Sequence, residues 1–497
     1  MLCVLECTGE PSPGSLVPGI EPAPRLRRIY TMKLFKKRPE FYKNVFTLAM
    51  PIALQSLITI GVNMLDTIMV GSLGETSLSA TSLANSFISI YQIFCMGLGM
   101  GASVLVSRYW GMKKADPDHS EAASTALRQT VCLMLRFTLL FASIFALLTL
   151  LAPDLLMRMY TADEGIIAEG ATYFRWSVVT YFFLGASLTS TIALRSVGQV
   201  KYPLFVSIGA FFVNLISNYA FIFGKLGAPR MEVAGAALGT LFARIFEFAM
   251  ILGYLFFKDE CIRFKIKDLF MKTGSLLAEY VRICIPVLIS DAILAFGNNA
   301  VAMVIGRLGA AFVAANAITS VTQQLSTVVV SGVSQAGAIV TGQTLGEGSR
   351  EKTMEQGWLF LGLGLALGLI AGIFVIAITE PVVRSYSNLS AETLDIARDL
   401  MLAIGLILMF QSTNSIMTKG VLRGGGDTKV LMIADNLFLW VLAIPLGILA
   451  GFTFKWPAFW IYVCLKSDQI VKTIWCVLRL RTGKWIKKIS TGTQTNK

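Results

Sequence analysis

Charge-free apolar runs of 20 or more residues recur along the whole chain, and each is long enough to cross the ~30 Å hydrocarbon core of a bilayer as a helix. In hydrocarbon every backbone N–H and C=O must be bonded internally, so runs of this length fold as spanning helices. Only 15% of the 497 residues are charged and 55% are hydrophobic, with mean hydropathy +0.67, whereas soluble domains carry roughly 25% charged residues. A soluble protein of this size is excluded. The apolar runs predict twelve spans, over 45–70, 78–106, 123–151, 171–194, 203–224, 233–257, 281–305, 312–342, 357–379, 398–421, 430–453 and 456–478.

The net charge of +13 would also suit a nucleic-acid partner, and its placement decides between the readings. Alternate loops carry Arg108, Lys113 and Lys114; Arg195 and Lys201; Lys258, Arg263, Lys265, Lys267 and Lys272; Arg350 and Lys352; Arg423 and Lys429. Both ends of the chain share that side, with Lys33, Lys36, Lys37 and Arg38 before the first span and Arg479, Arg481, Lys484, Lys487 and Lys488 after the last. The opposite loops offer single cations such as Arg158, Arg307, Arg384 and Lys455 among acids. By the positive-inside rule both termini are cytoplasmic in a multi-pass cell-membrane protein, and the charge excess leaves no case for nucleic acid. Eight cysteines form no CxxC or Cys/His cluster, and the one histidine, His119, sits in the charged loop KKADPDHSE. Neither a disulfide framework, a zinc centre nor a Ser/His/Asp site is expected. Residues 1–31 hold five of the 15 prolines and lack a signal-peptide core; they read as a disordered lead, with Met32 as an alternative start.

The chain repeats itself. AMPIALQSLITIGVNMLDTIMVGSLG (49–74) lies over CIPVLISDAILAFGNNAVAMVIGRLG (284–309) without a gap, placing Pro51 over Pro286, Asn63 over Asn298 and Gly71 over Gly306 at an offset of 235. Further on the offset becomes 228, and LRSVGQVK (194–201) lies over LRGGGDTK (422–429). Six spans per repeat and a basic approach to each make these parallel repeats about an axis along the membrane normal. The expected domains are a disordered and basic segment 1–40, an N-lobe 41–257, a cytoplasmic linker 258–279, a C-lobe 280–481 and a basic tail 482–497.

Pro51 followed by LDTIMVGSLG, the GxGxSxLVSRYWG pattern closing span two, and LRxxGxxK after spans four and ten together resemble the multidrug and toxic compound extrusion (MATE) transporters of bacterial type, over about residues 40–480. The resemblance implies an all-α protein of two six-helix bundles forming a V. It also implies a cation-coupled antiporter, exporting amphipathic, often cationic small organic molecules by alternating access in exchange for Na⁺ or H⁺. No cofactor beyond the coupling ion and no catalytic residue is implied, and a monomer is expected.

A duplicated chain supplies its own comparison for site residues. Asp66, at membrane depth near the end of span one, has Val301 as its repeat counterpart; an ionisable group there costs ~3 kcal/mol or more and marks function. Asn214 and Asn218, four apart and so on one helix face, correspond to Leu442 and Leu446. By resemblance Asp66, Asn214, Asn218 and Thr240 form an N-lobe cation constellation, with Na⁺ at Asp66, Asn214 and Asn218 one option and a proton on Asp66 the other. Some members of the family have a second carboxylate where Asn218 stands. The second half carries Asp291, with Asn298 and Asn299 further along the span, and Gln411 and Asp435, as a second candidate ion or substrate set. Lys419 is at hand to neutralise one of these acids. The Glu and Asp that other branches place in spans seven and ten are matched here by Leu294 and Ser412. Arg244 and Glu247, three apart, read as a self-neutralising pair. Met64, Met69, Phe87, Tyr91, Phe296 and Met303 are candidates for an adaptable apolar surface near the cleft. A lipid or lipid-linked oligosaccharide flippase of related architecture is the alternative within transport; an intramembrane enzyme lacks convergent chemistry, and a passive channel does not match parallel lobes with buried lone acids.

Overall fold

A computed structural model describes residues 39–115, 120–386 and 389–487. The expectations for residues 1–38, His119 and the end of the tail lie outside the described residues. From Val45 onward the described chain forms one compact body, and its regular structure is helical.

The first half comprises α1 (Pro39–Gly71), α2 (Glu75–Ala115), α3 (Ser120–Leu151), α4 (Pro153–Arg158), α5 (Glu164–Ser177), α6 (Thr180–Ser196), α7 (Lys201–Phe223) and α8 (Glu232–Phe257). A short 3₁₀ turn, Ile266–Phe270, precedes the second half: α9 (Gly274–Arg307), α10 (Ala310–Ser326), α11 (Val328–Gly346), α12 (Arg350–Ser385), α13 (Ala391–Ser415), α14 (Thr428–Leu437), α15 (Ile444–Ile448), α16 (Ala458–Leu465) and α17 (Ser467–Thr482). Wide π-helical turns continue α13 over Ile416–Leu422 and join α14 to α15 over Phe438–Ala443.

Among the described residues nine helices are individually long and apolar enough to cross a membrane, and α5 with α6, bent by 59°, makes a tenth. The predicted tenth and twelfth spans correspond to α13 with its π turns and to α16–α17, which breaks at Lys466. Polar and charged side chains in these stretches, Lys466, Asp468 and Lys472 among them, lower their hydropathy. They stay helical because the second half supplies partners for those charges.

The predicted linker is not a free tether. Asp259 accepts backbone N–H bonds from Ile262 (2.7 Å) and Arg263 (3.2 Å), Phe264 is fully buried, and Arg136 of α3 donates to the carbonyls of Leu269 (2.8 Å) and Met271 (3.0 Å). The segment is thereby pinned to the first half. The halves meet through α2, which packs against α9 and α11 at its basic-loop end. A side chain at Gly111 would strike the backbone of Gln343, and one at Gly346 the backbone of Arg108. Glycine is required there because two helix backbones cross in contact.

Several cations expected in basic loops are instead built into helices, Arg108, Arg195 and Arg423 among them. Arg108 and Arg423 are buried, and Arg195 lies in the last turn of α6. Each guanidinium is drawn inward by a specific acceptor: Arg108 donates to the carbonyl of Lys487 (2.9 Å), and the partners of the other two belong to the candidate site.

Candidate functional site

A cavity of about 760 Å³ is lined by α1, α2, α5–α8 and Gln335 of α11. Its polar side chains follow from helical spacing. Gln55 and Asp66, eleven apart, lie on one face of α1; Ser207 and Asn218, also eleven apart, lie on one face of α7. The two helices meet in two rungs: Gln55 Nε2 donates to Ser207 Oγ at 2.6 Å, and Asn218 Nδ2 donates to Asp66 Oδ1 at 2.6 Å. Partner numbers rise together along both helices, so α1 and α7 run parallel, and the rungs are about 16 Å apart.

Between the rungs, α8 presents Thr240, Arg244 and Glu247 to the cavity. Arg244 and Glu247 form the expected pair, at 2.7 Å. Arg244 also interacts electrostatically with Asp66, and Glu247 with Arg195, so charges alternate in sign along this wall. At the basic-loop end Arg195 donates to Gln55 Oε1 and, at 2.7 Å, to Gln335 Oε1 of the second half. Its Nε is buried and without a bond, and among the described residues no carboxylate pairs with it.

Of the expected N-lobe set, Asp66, Asn214 and Thr240 line this cavity, and Asn218 bonds to the first two. The orientation of Asn218 differs from that of a ring of cation ligands: its amide nitrogen serves both Asp66 and, at 3.3 Å, Asn214 Oδ1. Its own oxygen is buried against Gly239 of α8 without a bond. Only glycine at 239 leaves room for that amide. Asp66 and Asn214 thus offer oxygens at the cavity and Asn218 positions them. Asn85, whose oxygen accepts from Tyr173 OH at 3.3 Å, also lines this cavity with Gln55, Arg195 and Gln335, residues sequence reading left out. The helical spacing of polar residues in span two was a usable signal for Asn85. The repeated LRxxGxxK motif marks Arg195 as a cation but not as a cavity residue, and nothing local marks Gln335.

The residues of the second-half set are not brought together around a cavity. Asp291 is ion-paired to Arg423 at 3.0 Å. Asp435 and Asp468 share Lys472 at 3.7 and 3.0 Å, with all three buried. Arg423 and Lys472 are the direct ion-pair partners of these three acids, and the exposed Lys419 also acts electrostatically on Asp435, as expected. Asn298 and Asn299 are exposed, and Gln411 accepts from Gln323 at 2.9 Å. The expected apolar surface also falls elsewhere. Phe87 and Tyr91 are buried in the first-half core with Met69 packed on it, Phe296 and Met303 are exposed outside the cavity, and Met64 lines a smaller pocket with Gln324. The cavity wall instead mixes its polar side chains with aliphatic ones such as Ile58, Leu78, Ile88 and Leu184.

A helical membrane protein built on a duplicated half, with a cavity holding an intramembrane carboxylate, has the features of a membrane transporter. Profile comparison gives the family: MatE matches twice, over residues 51–220 and 286–449, and the chain belongs to it. It is 27% identical over 457 residues to a probable multidrug resistance protein NorM of Thermotoga maritima, covering 90% of this chain and 94% of that protein. It is 25% identical to the multidrug resistance protein MdtK of Yersinia pseudotuberculosis, covering 90% and 96%. Among solved structures, MATE in the bent conformation superposes with TM-score 0.79 at 18% identity, covering 91% of this chain and 98% of that one. A mutant of the Vibrio cholerae MATE transporter VcmN gives 0.79 at 17%, covering 94% and 100%. The all-α fold is that of these transporters.

Proposed function

We propose that this protein is a multi-pass cell-membrane exporter of small organic compounds, driven by Na⁺ or H⁺ entry and acting as a monomer. The carrying observation is Asp66: a carboxylate in a 760 Å³ cavity, bonded by the Asn218 amide and ion-paired to no lysine or arginine among the described residues. A desolvated acid of this kind takes up a proton or a hard cation in preference to standing charged and alone. Asn214 adds a neutral oxygen beside it. Relatives named as multidrug resistance proteins support export as the direction and drugs as the cargo. With the basic ends taken as cytoplasmic, the glycine crossing of α2 and α11 closes the inner side, and the exposed Ser82, Asn85 and Ser86 face outward.

The test is transport in proteoliposomes. An imposed Na⁺ gradient and an imposed pH gradient are compared for ethidium movement, and one of them is expected to drive it. Asp66→Asn should lower driven movement by at least about tenfold, the effect of losing ~1.4 kcal/mol of coupling, with the melting temperature unchanged. Full driven transport by that variant would refute Asp66 as the coupling group.

A further inference from the structure

The segment that joins the two halves lies at a definite depth. Over residues 120–129, SEAASTALRQ, α3 is polar, and over 130–151 it is apolar with Arg136 as its one charge. The apolar stretch is about 33 Å long, enough to cross the hydrocarbon core. Gln129 therefore marks the level at which α3 enters the lipid. The linker is bonded to α3 at that level. Gln129 Nε2 donates to the carbonyl of Lys272 at 2.9 Å, and Arg136 donates to the carbonyls of Leu269 at 2.8 Å and Met271 at 3.0 Å. Side chains on a helix lean towards its N-terminus, so Arg136 reaches back from its own depth to the boundary, as snorkelling arginines do. The 3₁₀ turn Ile266–Phe270 is held along the headgroup boundary.

Two kinds of side chain leave this turn without a protein partner. Phe270 is 84% exposed and Ile266 54%, values that in water would waste most of their apolar surface. Between and beside them Lys265, Lys267 and Lys272 are exposed, and among the described residues no carboxylate ion-pairs with any of the three. The nearby acids are occupied. Asp259 accepts from the backbone of Ile262 and Arg263, while Asp268 accepts from the Lys265 backbone N–H at 2.9 Å and lies 4.0 Å from Arg128. Bulky apolar groups interleaved with unpaired lysines at the hydrocarbon boundary suit an anionic leaflet. We infer that residues 265–272 are a docking surface for anionic phospholipid. Ile266 and Phe270 enter the acyl chains, and Lys265, Lys267 and Lys272 bind headgroup phosphates. A free phosphate would satisfy the lysines alone, whereas a phospholipid also covers the two apolar side chains. The inference rests on the membrane-spanning reading and is independent of the export reading and of Asp66.

The experiment places the full chain in nanodiscs of phosphatidylcholine alone, or of equal parts phosphatidylcholine and phosphatidylglycerol. Native mass spectrometry of protein released from the mixed discs is expected to show phosphatidylglycerol retained in preference to phosphatidylcholine. Lys265→Gln, Lys267→Gln and Lys272→Gln together should lower that preference at least about tenfold, since each basic side chain at an anionic surface contributes roughly fivefold. Removing the same charge elsewhere on the basic side, by Lys352→Gln, Lys429→Gln and Lys484→Gln, should leave most of the preference in place. As a measurement on the unaltered protein, backbone amides of 265–271 should exchange hydrogen more slowly in the mixed discs than in phosphatidylcholine alone. An equal loss in the two triple variants would assign the preference to net charge and overturn the inference. So would the absence of any preference, or exchange that is the same in both discs, as a second copy covering the segment would give.

Discussion

Arg195 and Arg423 occupy the same position in the two LRxxGxxK motifs and reach back to the matching helix of their own half, α1 and α9. Arg195 finds the neutral amide of Gln55; Arg423 finds the carboxylate of Asp291, one register position along. The same duplicated arginine is thus unneutralised by a paired acid in one half and neutralised in the other. The contrast extends through each bundle. In the first half Asp66 stands at a cavity beside amides, and Arg195 uses its free capacity to hold Gln335 across the boundary between halves. In the second half Lys472 lies between Asp435 and Asp468 with no comparable cavity described around it. Duplication supplied one scaffold. The first copy keeps charges available to a ligand and the second spends them on itself.

Three substitutions would break or sharpen this contrast. The largest effect is expected from Lys472→Met, which strands two buried carboxylates. Removing one partner of a buried pair costs about 3–5 kcal/mol, so thermal unfolding in detergent should show a pronounced drop, with transport falling only as folded protein is lost. Adding Asp435→Asn and Asp468→Asn to Lys472→Met should restore much of the stability, and failure to do so would mean the cluster has a role other than self-neutralisation.

Asp291→Asn is next. It leaves the buried Arg423 with an amide, the situation Arg195 already tolerates, and a loss of about 1–3 kcal/mol is expected. Driven transport per folded molecule should persist, in contrast to Asp66→Asn; abolished transport with unchanged stability would move coupling into the second half. The smallest effect belongs to Gln335→Ala. It removes one acceptor from a guanidinium, worth about 1.5–3 kcal/mol at most and less where water replaces it. Its readout is specific: disulfide crosslinking between cysteines placed at Met112 and Leu345, on either side of the α2–α11 crossing, should decline as the closed arrangement loses population.

Much of this was legible in sequence because the membrane reduces folding to a few local rules. Span pattern, helical character, the repeat and the candidacy of Asp66 follow from apolar run length, a fixed offset and the cost of burying a charge. Asn214 and Asn218 followed from a spacing of four. Legibility ended where partners lie far apart in the chain. Asp291 to Arg423, Lys472 to Asp435 and Arg195 to Gln335 depend on which helix faces meet, and no local pattern records that. The aromatic and methionine side chains failed as cavity markers for the same reason, since apolar residues suit lipid, core and cleft alike.

The sequence by itself determined a duplicated, helical membrane protein whose intramembrane acids Asp66, Asp291 and Asp435 have no carboxylate counterpart in the other half. Only the tertiary structure decided that Asn218 turns its N–H to an acid, Asp66, and that the second-half acids are already ion-paired within their own half. Hydropathy and spacing act along one chain segment at a time, whereas the direction of a hydrogen bond and the pairing of a charge are set by packing between segments.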